Sequence, residues 1–322
     1  MAEFIVAVDL GGTQIRTALC REDGTIIKRV SDLTRAAEGL DAVLGRLIGA
    51  IHAVLPDCVE EVEAIGVTAP GPLDPWTGIV FSAGNLPGWK NVPLKDILER
   101  EFSVPVYAGN DANLAALAEQ RFGAGQGVRD LVYITVSTGI GGGIIVDGKM
   151  LLGSRGLAAE VGHQIVLPDG PRCTCGSKGC LEAVSSGPAI AAYARERITA
   201  GEASVLTAMV NGDLQRITAR TVNEAAQAGD ALAQQAFHRA GFHLGLGIVS
   251  LMHVLNPAMF ILGGSVALHS GDLLWKPMRK AIRERAMSPL YWEHTPVVPA
   301  ALGDDVGLLG ALALVLAERD AI

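Results

Sequence analysis

Two stretches of this chain lie 128 residues apart, carry the same signature and leave few folds open. FIVAVDL (Phe4–Leu10) is apolar, rich in β-branched residues, and ends in Gly11-Gly12-Thr13. LVYITV (131–136) ends likewise in Ser137-Thr138-Gly139-Ile140-Gly141. A short apolar run closed by glycine reads as a buried strand entering a tight turn. After the first turn come an alternating strand, QIRTALC, a turn at Glu22-Asp23-Gly24 and a third strand, TIIKRV. After the second come a strand and a glycine hairpin. Sliding one stretch onto the other lays Gly139 and Gly141 near Gly11 and Thr13. The pattern predicts duplicated β-meanders with a cleft between two halves. The competing reading is a chance likeness between two glycine-rich hairpins.

A chain of 322 residues suits two domains, and 49% hydrophobic content with 39 glycines and few aromatics fits a compact α/β protein. The net charge of −8 without a local basic patch argues against a nucleic-acid surface. The longest apolar runs, Leu244–Met252 and Val306–Ala317, fall short of the ~20 residues that span a bilayer. A strand beginning at Phe4 leaves no room for a signal peptide. The expectation is a soluble, cytoplasmic protein with neither membrane nor nucleic acid as partner.

Between and beyond the meanders, apolar spacing predicts a helix over Ala42–Val54. The strand VEAIGVTA runs into Pro70-Gly71-Pro72, and Phe81–Val92 has the composition of a long surface loop. The strand VPVYAGND delivers Asn110-Asp111 to a helix over Ala112–Phe122. Farther on, Ser-Gly-Pro opens a helix over Ser186–Arg197, and Thr221-Val-Asn-Glu224 resembles a capping box. A long helix over Ala231–Leu255 carries Gly241, Gly245 and Gly247 for close packing, and Asn256-Pro257 stops it. AMFILGGS is a buried strand entering the turn Gly263-Gly264. A last helix, Val306–Glu318, follows Asp304-Asp305 and can cross back onto the first domain.

Chemistry concentrates in EVGHQIVLPDGPRCTCGSKGCLE (160–182). Cys173 and Cys175, at i and i+2, project to one side of an extended strand; Gly176 and Gly179 let the chain turn to bring Cys180 back. His163 completes an N/S tetrahedron of the kind zinc prefers. A disulfide with a spare thiol, or a set of buried apolar cysteines, are the alternatives. Glu160 and Glu182 frame the ligands, and a metal-bound imidazole has its second nitrogen free for a polyhydroxylated ligand. Each glycine-rich turn follows a buried strand, so its N–H groups can face a phosphate, although neither is a Walker A loop nor a dinucleotide fingerprint. Asp9, at the root of the first turn, can hold the waters of Mg²⁺. Asp111 is the candidate general base; the other reading makes it the N-cap of its helix, unless Asn110 takes that role.

These residues together resemble the ROK family of repressors, open reading frames and sugar kinases. The likeness rests on DLGGT (9–13), Asn110-Asp111, STGIGGG (137–143), Glu160-Val-Gly-His163 and Cys173-x-Cys175-Gly-x-x-Gly-Cys180-x-Glu182, over nearly the whole chain. Asn85-Leu-x-Gly-Trp89 and Gly303-Asp-Asp-x-Gly307 add to it and point to the bacterial members that phosphorylate glucose with ATP. Gln14 departs from the Lys that many members carry after the turn. The resemblance implies an actin-like ATPase (ribonuclease H-like) α/β fold, two lobes each with a mixed sheet flanked by helices, closing on a cleft. One lobe would take residues 1–112 with a returning C-terminal helix at about 304–322, and the other 113–303 with the zinc loop. It implies phosphorylation of glucose at O6 by MgATP, with Asp111 as base and Gly71, Asn110, Asp111, Glu160, His163 and Glu182 on the sugar. Asp9, Gly11, Gly12, Thr13, Thr138, Gly139, Gly263 and Gly264 would meet the nucleotide and Mg²⁺, while His163, Cys173, Cys175 and Cys180 hold structural Zn²⁺. A dimer or tetramer is the implied assembly. The alternatives are a kinase for N-acetylmannosamine, fructose or mannose, or a sugar-sensing regulator without a DNA-binding domain.

Overall fold

The computed structural model describes residues 3–320. β1 (Phe4–Leu10), β2 (Gln14–Cys20) and β3 (Ile26–Leu33) form the expected antiparallel meander. α1 (Leu40–Val54) turns Val43, Leu47, Ile51 and Val54 to the core at the three- and four-residue spacing of an amphipathic helix. There follow β4 (Val62–Ala69), a hairpin of β5 (Ile79–Ser82) with β6 (Lys90–Pro93), α2 (Leu94–Phe102), β7 (Val106–Asn110) and α3 (Asp111–Phe122). The second series begins with β8 (Leu131–Val136), β9 (Ile140–Val146) and β10 (Lys149–Met150). Helices then dominate: α4 (Leu181–Ser185), α5 (Gly187–Thr199), α6 (Leu206–Met209), α7 (Ala219–Gln227) and α8 (Ala231–Leu255). β11 (Met259–Gly263), α9 (Ser265–His269), α10 (Asp272–Arg285), β12 (Val297–Pro299) and α11 (Val306–Asp320) complete the chain.

The first sheet has the order β3-β2-β1-β4-β7, and the second β10-β9-β8-β11-β12. The two orders correspond strand for strand. In the first, β4 lies parallel to β1 and β7 parallel to β4. In the second, β11 lies parallel to β8 and β12 parallel to β11. Parallel neighbours need crossover connections, so this agreement reaches well past the hairpins that suggested it. The duplication is a property of whole sheets.

The chain packs as two compact units: residues up to Arg129 with Gly143–Ala159 and Ala301 onward, and Asp130–Gly142 with Glu160–Ala300. The first takes in α3 and the 143–159 segment, whereas the sequence expectation set its edge at residue 112. The reason is α11, which lies against β1, β4 and α3 and so draws α3 into the same layer. In β1, Val6, Val8 and Leu10 face one core with α1 and α2, while Ile5 and Ala7 face another with α11. Alternation thus buries both faces, at roughly 1.5–3 kcal/mol for each large aliphatic side chain. In the second unit α8 is the hub, packed on α10, α7, α4 and α5. A Cβ on Gly241 would stand 2.4 Å from the Leu274 carbonyl oxygen, which explains glycine in the middle of that helix. Asn256 ends α8 in the left-handed conformation. Among the described residues, no helix is long and apolar enough to cross a membrane.

Two local expectations are corrected. Phe81–Val92 is a mostly exposed loop only over 83–89, where it joins β5 to β6, and its apolar residues Ala83, Leu86, Trp89 and Val92 are buried rather than part of the surface. Proline and glycine marked its turns correctly, but its apolar residues are core. The capping box belongs to Thr218 and Thr221, three residues earlier than expected, so Thr221 lies inside α7 rather than before it. Threonine at the third position can return the bond to the cap as glutamate does, a variant that the usual motif passes over.

Candidate active site and metal centre

In the first unit, the turn after β1 is closed by the Gly11 N–H on the Gln14 carbonyl oxygen at 2.9 Å. Thr34, fully buried after β3, binds it twice: its hydroxyl donates to the Gly11 carbonyl at 2.6 Å and its N–H to the Thr13 carbonyl at 2.8 Å. Asp9, the last residue but one of β1, has its carboxylate 3.8 Å from the Arg16 guanidinium. Burial raises its pKa from an ordinary 3.8 to about 6; Arg16 opposes the shift and the neighbouring charge of Asp111 adds to it. That Asp111 acts on Asp9 places both carboxylates in one electrostatic neighbourhood.

Asn110 ends β7 and caps α3, accepting the Ala112 N–H at 3.0 Å and lying within reach of Asn113 N–H at 3.5 Å. Asp111, the first residue of α3, also accepts from the Ala112 N–H, at 2.8 Å, and its side chain is exposed. The capping role that competed for Asp111 is filled by Asn110. Gly71 lies directly on the Asn110 amide: a Cβ there would stand 2.6 Å from Nδ2. Asn85 covers Gly12 in the same manner, with a hypothetical Cβ 2.7 Å from its Nδ2.

In the second unit, His163, Cys173, Cys175 and Cys180 bring their ligand atoms within 4.8 Å of one another. His163 Nδ1 is 3.7 Å from Cys173 Sγ, and Cys175 Sγ is 3.7 Å from Cys180 Sγ. That separation is far beyond a disulfide bond, and all five cysteines are free thiols. The means of convergence differs from strand alternation. The Gly176 N–H bonds the Cys173 carbonyl at 3.0 Å, closing a turn around Thr174 and Cys175, and Arg172 bridges Lys178 across it. Gly176 and Gly179 take φ of 96° and 72°, as the reading of their role required. Backbone and thiol donors, the Ser177 N–H first, lower the Cys175 pKa to about 7, which favours the thiolate that a metal needs. This donor set fits a tetrahedral ion with soft ligands.

With Nδ1 toward the thiols, Nε2 of His163 faces Glu160 Oε2 at 3.9 Å. Glu182 sits in the first turn of α4, accepting the Ile140 N–H at 2.9 Å and the Thr174 hydroxyl at 3.3 Å. Gly139 lies against the same carboxylate, since a Cβ there would stand 2.7 Å from Oε2. Beside it, the Ser137 hydroxyl is 3.0 Å from that of Ser265, and a Cβ on Gly264 would meet Thr135 and Val136. The turns at Thr138-Gly139 and Gly263-Gly264 therefore adjoin at the ends of the parallel strands β8 and β11. Anion-binding backbone turns occur at such strand ends. Sequence reading did not single out Thr34, Thr174, Ile140 or Ser265, and none carries a local signal.

Comparison with known proteins places this architecture in a family. The model of the ROK family matches residues 5–318, and the chain belongs to the ROK family. A glucokinase of Thermotoga maritima is 36% identical over 97% of this chain and 96% of its own length. Among solved structures, a ROK hexokinase from Thermus thermophilus superposes with a TM-score of 0.82 at 36% identity, over 98% of this chain and 99% of that one. A ROK family glucokinase from Streptomyces griseus, solved with glucose and AMPPNP, superposes at 0.79 with 37% identity over the same shares. The fold is that of the ROK sugar kinases, with the actin-like ATPase arrangement of mixed sheets flanked by helices.

Proposed function

We propose that this chain transfers the γ-phosphoryl group of ATP to the 6-hydroxyl of glucose, releasing glucose 6-phosphate and ADP. The observation that carries the reading is the arrangement around His163. One ring nitrogen faces three thiols and the other faces Glu160, in a chain that resembles named glucokinases over its full length. Asn110, Glu160, His163 and Glu182 supply acceptors and donors for sugar hydroxyls, and Gly71 offers its backbone. Asp111 takes the proton of the 6-hydroxyl as that oxygen attacks the γ-phosphorus and the bond to ADP breaks. Its seat at the start of α3, with Asn110 capping, holds it on a rigid element.

Backbone N–H groups of Gly12 and Thr13 and of Thr138, Gly139, Gly263 and Gly264 contact the nucleotide phosphates, while Gly11, whose N–H is engaged by the Gln14 carbonyl, shapes the first of these turns. Asp9 holds the hydration shell of Mg²⁺, an ion that neutralises phosphate charge when bound. His163, Cys173, Cys175 and Cys180 hold Zn²⁺ in a structural role, fixing the hairpin that carries the sugar ligands. The enzyme acts in the cytoplasm as a dimer or tetramer, with sugar and nucleotide as partners rather than nucleic acid or membrane.

The test is a coupled assay of ADP release with MgATP against glucose, mannose, fructose and N-acetylmannosamine. Preference for glucose is the expected result. Preference for another hexose moves the substrate and keeps the base. No turnover with any sugar, from folded zinc-loaded protein, overturns the kinase reading in favour of a sugar-binding regulator.

A further inference from the structure

Glu182 is half-buried, and protein donors reach both of its carboxylate oxygens. Ile140 N–H donates to Oε2 at 2.9 Å, and the Thr174 hydroxyl donates to Oε1 at 3.3 Å. Cys173 Sγ lies 3.8 Å from Oε1 as well. The two main donors sit on different elements, one at the start of β9 and the other in the cysteine hairpin, so between them they set the plane of the carboxylate. A glutamate side chain has three torsions, and one left free loses rotamer freedom whenever it takes a ligand. A clamped carboxylate presents its remaining lone pairs in a single orientation.

We infer that Thr174 is a positioning residue for the sugar site, acting through Glu182. The inference rests on the proposed role of Glu182 as a ligand of a sugar hydroxyl. Thr174 lies between two of the thiols that form the metal cluster, inside the turn closed by the Gly176 N–H on the Cys173 carbonyl. Its backbone is therefore held from both sides. Cys173 cannot share its task when the site is loaded, because a metal-bound thiolate has no proton to donate. That leaves the Thr174 hydroxyl as the side-chain donor to Oε1. Nothing in its surroundings brings it to a reacting atom, so its effect falls on sugar binding and not on the chemical step. The phosphate-facing turn touches the other oxygen, through Gly139 and Ile140, and so stays in place when the hydroxyl is removed.

Two substitutions separate the hydroxyl from the shape. Thr174→Val keeps the outline and removes the donor; Thr174→Ser keeps the donor. With saturating MgATP, T174V raises the glucose KM by about five- to tenfold, the effect of losing one exposed hydrogen bond of ordinary strength. It leaves kcat and the ATP KM within about twofold, and zinc content and thermal melting as in the wild type, as expected for a ground-state contact. T174S stays within about twofold of the wild type throughout. An unchanged glucose KM in T174V overturns the inference. So does equal impairment in T174S, or loss of zinc in T174V, which would route the effect through the metal. Calorimetric titration of glucose without nucleotide tells this failure from failure of the kinase reading. Sugar binding by the wild type that weakens in T174V upholds the positioning role even without turnover, and equal or absent binding in both overturns it.

Discussion

Gly307, in the first turn of α11, lies so close to Asp9 that a Cβ on it would stand 2.5 Å from the carboxyl carbon. The Thr68 hydroxyl fixes the contact by donating to the Gly307 carbonyl at 2.8 Å. The C-terminal helix thus packs against the carboxylate, and burial is the largest cause of its raised pKa. This gives a pH signature. A carboxyl whose folded pKa exceeds its unfolded one stabilises the fold fully below 3.8 and loses that contribution as pH rises through about 6. In metal-free buffer, Asp9→Asn is expected to unfold at higher urea than the wild type at about pH 8, by about 2–3 kcal/mol, with the gap narrowing towards pH 5. Added Mg²⁺ should stabilise the wild type and not the variant. A gap that does not change with pH would show that Asp9 is ionised without cost.

Asp111→Ala tests the base. With Asn110 in place as the cap, the helix keeps its N-terminal bonds, so urea unfolding should shift by less than about 1 kcal/mol. Loss of a general base lowers kcat by at least ~10²-fold. Wild-type turnover from the folded variant would remove Asp111 from the mechanism.

Metal content is checked on the purified wild type and on Cys175→Ser. One zinc per chain is expected in the first and none in the second, with a lower melting temperature and a raised glucose KM, because metal binding and local folding are one equilibrium here. Wild-type protein that is folded, active and free of zinc would make the cluster a set of unligated thiols.

Glu119, on α3, is fully buried and has no part in the proposed chemistry. Its carboxylate accepts the N–H of Ala124 at 2.8 Å, of Ala301 at 2.9 Å and of Leu302 at 3.0 Å. One side chain thereby ties the end of α3 to the segment that leads into α11. Glu119→Leu removes the acceptor from three part-buried amides, each bond to a charged group being worth about 1–3 kcal/mol, so a loss of at least ~3 kcal/mol in urea unfolding is expected after relaxation. A loss below 1 kcal/mol would mean that water replaces the carboxylate.

The strands and turns at Phe4–Thr13 and Leu131–Gly141, the cysteine–histidine set and the Asn110-Asp111 pair were all legible in the order of residues. Each depends on residues close in the chain: alternation, glycine where the chain must turn, and ligands within the one stretch 163–180. Even the duplication was visible, as a shift of one pattern onto another, although only the sheet orders separate it from coincidence. Local cues also misled in two places. Proline and glycine made the whole of Phe81–Val92 look like surface; most of it is exposed, but Leu86 and Trp89 join a core with residues far off in sequence. Threonine at 218 and 221 hid a capping box that does not use glutamate. The contacts that only the tertiary structure decided are those across long separations: Thr34 on the first turn, Gly307 on Asp9, Glu119 on Ala301, and Ile140 with Thr174 on Glu182. A hydroxyl or a glycine carries no mark of which distant group it will meet, because that partner is chosen by how the sheets and helices pack.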